Sequence, residues 1–104
     1  MGNYRVDVSQ PAEEDLRDIV RYISSQLTAP VTALNMMKII EEAVAKLSEL
    51  PHSYPPVRDE RLAAMGYRRV DIKNYVAFFT VNEAEKVVDV ERILYARRDW
   101  LQII

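Results

Sequence analysis

The sequence predicts an α+β fold: a helical hairpin packed on one face of a mostly antiparallel four-stranded sheet, in the order β-α-α-β-β-β, with a short C-terminal tail. Three observations predict it. Apolar residues recur at three- and four-residue spacing through the block from Ala12 to Leu47, and at two-residue spacing in the stretches around it. No strand-helix-strand alternation appears, which disfavours a parallel sheet. With 104 residues, 49% of them hydrophobic, the chain is expected to form one domain over 1–104 around a modest core.

The first strand is read at Asn3 to Val8, where Tyr4, Val6 and Val8 alternate with Asn3, Arg5 and Asp7. Ser9 offers a helix cap and Pro11 suits a first turn, where its missing N–H costs nothing. Glu13, Glu14 and Asp15 then complement the positive end of the helix dipole. The stripe Ala12, Leu16, Ile19, Val20, Ile23 and Leu27 faces the core, and Asp15, Arg17, Asp18 and Arg21 are expected mostly in water. Thr28 to Pro30 restarts the pattern. A second helix carries Ala33, Met37, Ile40, Val44 and Leu47 until Pro51 ends it, with Met36 and Met37 as core filler.

Residues 51–66 read as a surface loop, with one helical turn expected over Asp59 to Ala64. Tyr67 to Lys73 is the second strand, Lys73 and Asn74 a tight turn, and Tyr75 to Val81 a central strand apolar on both faces. Asn82 to Lys86 turns into the last strand, which starts at Val87 and stops at Arg97 and Arg98. Strict alternation would set Val88, Val90, Arg92 and Leu94 on one face and Asp89, Glu91, Ile93 and Tyr95 on the other. The sheet face away from the helices is expected to be covered only by the tail or by a partner. Trp100, Leu101, Ile103 and Ile104 are apolar enough to fold back or to dock on another chain, so a homo-oligomer through the tail is one expectation.

A net charge of -2 argues against coating nucleic acid through bulk charge, although arginine concentrates late in the chain. No cysteine and a single histidine, His52, leave no basis for a disulfide, a thiolate or a histidine-based metal site. No cofactor, no metal and no membrane span are expected, and the expected location is cytoplasmic.

The candidate contact residues are Arg58, Arg61, Arg92, Tyr95, Arg97, Arg98 and Trp100. Each has a plainer reading beside the functional one. Arg58 and Arg61 can form a local network with Asp59 and Glu60. Arg97 and Arg98 can cap strand-end carbonyls or pair with Asp99. Tyr95 can be an ordinary half-buried aromatic, and His52 a solvated loop histidine. Arg92, set among valines, demands a carboxylate, either within the chain or from a partner.

Four stretches in register resemble the RelE/ParE superfamily of toxins from bacterial type II toxin-antitoxin systems. They are Tyr4 to Leu16 (Y-R-V-D-V-S-Q-P-A-E-E-D-L), Leu50 to Pro55 (L-P-H-S-Y-P), Gly66 to Val70 leading into Asn74 to Val81, and Arg92 to Trp100 (R-I-L-Y-A-R-R-D-W). The resemblance implies a growth-inhibiting toxin of an addiction or plasmid-stabilisation module, held inactive by a cognate antitoxin whose disordered tail folds across it. RelE-like members cleave messenger RNA on the ribosome, whereas ParE-like members poison DNA gyrase.

The cleaving branch places an arginine early in the central strand, but Asn74 to Phe78 holds none. It also uses a tyrosine or histidine near the C-terminus, where this chain reads Asp99-Trp100-Leu101-Gln102-Ile103-Ile104. If the chain were an RNA endonuclease, Tyr95, Arg97 and Arg98 would be its candidates, without an evident general base. The ParE-like branch, a gyrase inhibitor rather than an enzyme, is therefore the favoured reading, with the ribosome-dependent mRNA interferase as the alternative.

Overall fold

The computed structural model describes residues 3–98. Four strands, β1 (Arg5–Val8), β2 (Arg68–Ile72), β3 (Tyr75–Asn82) and β4 (Val87–Tyr95), form one sheet in the order β1-β4-β3-β2. β2, β3 and β4 make an antiparallel meander, while β1 lies parallel to β4, Arg5 opposite Val87 and Val8 opposite Val90. A parallel neighbour needs a long crossover, and the helical hairpin supplies it.

The hairpin is α1 (Gln10–Arg21) and α2 (Pro30–Ala45). Ser9 caps α1 as expected: its hydroxyl accepts the Ala12 N–H at 3.1 Å and donates to the Glu91 carbonyl at 2.8 Å, tying the helix start to β4. The first helix differs from expectation at its end. Tyr22–Gln26 widens into a π-helical turn, after which Thr28 takes a positive φ of 52°.

Consecutive strand residues face opposite ways, so Phe78 and Phe79, both fully buried, serve two separate cores. Phe79, Ala77, Val88, Val90, Ile93, Val70 and Ile72 pack under the helices with Ala12, Ile19, Ile40 and Leu47. Phe78, Val76 and Leu94 pack under Val57 and Leu62, with Ala63, Tyr67 and Ala96 around them. Each buried phenylalanine contributes roughly 1.5–3 kcal/mol.

The second core corrects one expectation. The face away from the hairpin is covered at this end by the 57–63 segment, not left to the tail or a partner. The turn expected near Asp59 forms as α3 (Glu60–Ala64), capped by the Asp59 carboxylate on the Leu62 N–H at 3.0 Å, and it brings Leu62 down onto the sheet.

The simple alternation along β4 also fails. Phe79 lies opposite Val90 and Phe78 opposite Arg92, so Glu91 is an extra residue and the register shifts. Val88, Val90 and Ile93 consequently join the hairpin side, while Leu94 joins the second core.

Candidate functional site

Helix α1 divides two concave surfaces. Glu13, Leu16, Arg17, Val20 and Arg21 of α1, with Ser24 of the π-helical turn, line a groove on the β1 side, and Asp15, Asp18 and Ile19, with Tyr22 of that turn, line a cleft on the other. This partition follows from the helical period, since residues three and four apart share a face.

The groove measures about 760 Å³. Val6 and Val8 of β1, Leu16 and Val20 of α1, and Met37, Ile40 and Val44 of α2 make its apolar walls. Charges stand only at its rim, at Glu13, Arg17, Arg21 and Glu41. It opens along a free sheet edge. Arg5 donates to the Lys86 carbonyl at 2.9 Å and Ser9 to the Val90 carbonyl at 3.0 Å, so the backbones of Arg5, Asp7 and Ser9 face β4. Those of Val6 and Val8 consequently face outward, and among the described residues nothing pairs with them. The opposite edge is guarded: Arg69 donates to the Pro55 carbonyl and Val57 to the Tyr67 carbonyl, each at 3.1 Å, and Pro56 bridges to Arg68.

The cleft, about 610 Å³, lies where β4 runs on past the end of β1. It is lined by Asp15, Asp18, Ile19, Tyr22 and Leu27 from the hairpin, Asn74 from the β2–β3 turn, Tyr75 from the start of β3, and Ile93, Leu94, Tyr95 and Arg98. Tyr75 and Tyr95 meet edge to face at 5.9 Å. Burial, with the neighbouring Tyr95 and Tyr22 hydroxyls, raises the Tyr75 phenol above its ordinary range.

Arg92 finds its carboxylate inside the chain. Its Nε and Nη2 donate to Asp15 at 2.7 and 2.8 Å, and the same carboxylate accepts the Ile93 N–H at 3.0 Å. Asp15 is only 12% exposed, contrary to the expectation that it faces water. It does the work of a missing neighbour strand, satisfying an N–H on the stretch of β4 that β1 does not reach. The hydrogen bonds to Asp15 raise the guanidinium further above its already high range.

The other predicted residues separate. Tyr95 and Arg98 share the cleft; Arg98 and Arg97 are exposed, and neither has a carboxylate partner among the described residues. Arg58 and Arg61 belong to the α3 segment on the second sheet face, exposed and outside both concavities. Their expected network with Asp59 and Glu60 does not form, because Asp59 is engaged as the helix cap. Trp100 and the tail, with the expectation that they dock, lie outside the described residues.

His52 contacts Glu83 at 2.8 Å, in a surface cluster where Tyr4 donates to the same carboxylate at 2.9 Å and Lys86 does so from one turn away. The hydrogen bonds from Lys86, His52 and Tyr4 hold Glu83 down at about 2. This cluster clasps the start of β1 to the β3–β4 turn. The second sheet face carries carboxylates: Glu91 accepts the Thr80 hydroxyl at 3.1 Å, and Asp71 pairs with Arg69 at 2.6 Å. Burial, and then Glu91, raise the Tyr67 phenol. Among the described residues no cluster could hold a metal ion, and no helix is long and apolar enough to cross a membrane.

Sequence reasoning assigned Leu16, Val20 and Met37 to core and so missed the groove. The available signal was the brevity of the first strand, too short to cover two full helical stripes.

The helical hairpin laid on a mixed sheet is a fold shared with solved chains from toxin-antitoxin systems. Residues 6–100 match the family model described as the ParE toxin of type II toxin-antitoxin systems, parDE, and the chain belongs to this family. Among solved structures, the chromosomal ParDE system of P. aeruginosa is 22% identical with a TM-score of 0.76, covering 91% of this chain and 98% of that one. The RelBE2 toxin-antitoxin complex of Mycobacterium tuberculosis is 19% identical with a TM-score of 0.61, covering 89% and 98%. An archaeal RelE-RelB complex from Pyrococcus horikoshii is 14% identical at 0.58, covering 92% and 98%. No curated protein matches the chain.

Proposed function

We propose that this ParE-family toxin arrests growth by binding DNA gyrase, as part of a plasmid-stabilisation module, and that a cognate antitoxin in the cytoplasm neutralises it. The observation that carries a contact mechanism over RNA cleavage is the placement of the late arginines. Phosphodiester cleavage by a 2′-hydroxyl needs a base, an acid and cations around one phosphate. Here Arg92 is bound to Asp15, Tyr95 packs on Tyr75, and Arg58 and Arg61 lie on another face. On the second sheet face Asp71 is already paired with Arg69, and Glu91 accepts the Thr80 hydroxyl. Arg97 and Arg98 remain exposed for a macromolecular target.

The groove supports the antitoxin half of the reading. Apolar walls beside a free strand edge suit a segment that folds on binding, its backbone pairing with Val6 and Val8 and its apolar side chains filling the space over Leu16, Val20 and Met37. The structural neighbours from M. tuberculosis and P. horikoshii are themselves toxin-antitoxin complexes.

Induction in cells tests the target. A reporter plasmid should lose negative supercoiling while messenger RNA stays intact. Codon-positioned messenger RNA cuts with unchanged plasmid topology would instead establish the mRNA interferase reading.

A further inference from the structure

We propose that the free chain self-associates through β1, two copies pairing antiparallel about Val6 so that Arg5 of each copy stands opposite Asp7 of the other. The surface is an unguarded sheet edge. Along Arg5–Val8 there is no proline and no bulge and, among the described residues, no hydrogen-bond partner for the outward N–H and C=O groups of Val6 and Val8. The β2 edge, by contrast, is covered by the 55–57 segment. Val6 and Val8 line the groove, so Arg5 and Asp7 project from the opposite sheet face, where their side chains are 71% and 47% exposed. Pairing of this kind needs neither gyrase nor an antitoxin.

The charges of the strand select both the partner and the register. An antiparallel second copy can set Val6 opposite Val6, Val6 opposite Val8, or Val8 opposite Val8, because within β1 only these residues turn their backbone groups outward. The first register places Arg5 against Asp7 twice, in the non-hydrogen-bonded positions where facing side chains come closest. The second sets Asp7 against Asp7, which repels. The third sets Asp7 against Ser9, whose hydroxyl is already engaged by the Glu91 carbonyl and the Ala12 N–H. Asp7 also lies beside Asp89 across the β1–β4 ladder, like charge next to like charge. Among the described residues the cation bonded to Asp7 is Arg5 of its own strand, at 3.0 Å. In the dimer each Asp7 gains a second guanidinium, and the four charges alternate in sign. The edge is that of the groove, so the dimer and a segment bound along Val6 and Val8 exclude one another.

Sedimentation equilibrium of the full chain at low ionic strength, where exposed pairs are least screened, reads the association directly. The unaltered chain should pass from monomer to dimer as its concentration rises between about 1 μM and 1 mM. Arg5→Asp and Asp7→Arg should each weaken dimerisation roughly tenfold or more in Kd, with circular dichroism unchanged because both side chains are exposed. Mixing the two variants should restore the dimer, since unlike charges then face each other again, and so should the exchange Arg5→Asp/Asp7→Arg within one chain. A chain that stays monomeric up to about 1 mM would overturn the proposal. So would a dimer indifferent to either reversal, which belongs to another surface, or a mixture no more associated than its separate components.

Discussion

Replacing Asp15 with alanine withdraws three hydrogen bonds at once: two from the Arg92 guanidinium and one from the Ile93 N–H. Arg92 is 25% exposed and its partner 12%, so the guanidinium keeps limited access to water once its carboxylate is gone. Removing one member of a buried pair costs about 3–5 kcal/mol, and the residual exposure places this case at the lower end, near ~3 kcal/mol. For a domain of this size ~1 kcal/mol moves Tm by about 4–8 °C, so Asp15→Ala should melt roughly 12–24 °C lower. Chemical denaturation followed by circular dichroism measures the same quantity. The double variant Asp15→Ala/Arg92→Met should be more stable than Asp15→Ala alone, because no charge is then stranded. A loss below about 0.5 kcal/mol, the range of ordinary surface substitutions, or strict additivity in the double variant would refute the reasoning.

Three further outcomes are expected. Glu83 is held at about 2, below its ordinary value of 4.5, so its contribution is present above pH 4.5 and is lost as pH falls through 2; Glu83→Gln should remove that part of the acid-unfolding profile while leaving the neutral-pH fold intact. Val20→Asp, in the wall of the groove, should weaken antitoxin binding by about 2 kcal/mol or more, roughly 30-fold in Kd by calorimetry, and the Val6 and Val8 amides of the unaltered chain should gain exchange protection on binding. Gly66 sits at φ 90° with open space where a Cβ would go, so Gly66→Ala should cost about 1–2 kcal/mol through backbone strain alone, seen as a lower urea midpoint.

Much of the fold was legible because its local signals are strong. Ser9 and Pro11 mark the start of α1, Pro30 the start of α2, and Lys73-Asn74 the two-residue hairpin between β2 and β3. What escaped were features that depend on geometry between distant segments. The extra residue Glu91 shifts every later β4 side chain, and no periodicity in Val87 to Tyr95 announces a bulge. Val57 and Leu62 read as parts of a surface loop, Leu62 in its one expected helical turn, but they meet Phe78 only because the 51–66 segment folds over the sheet. The partner of Arg92 was recoverable in part: Asp15 stands three residues after Ala12 and four before Ile19, on the buried stripe of α1. The candidate site was the least legible, since a groove is a surplus of apolar wall over what β1 covers, and that surplus exists only once the helices are placed.

The most direct measurement is supercoiling by purified DNA gyrase titrated with the folded chain, then with chain pre-mixed with antitoxin. Dose-dependent inhibition, relieved by the antitoxin and lost in the Arg97→Ala/Arg98→Ala variant, is the predicted result. Undiminished supercoiling at every concentration of folded chain would contradict a contact mechanism on this target.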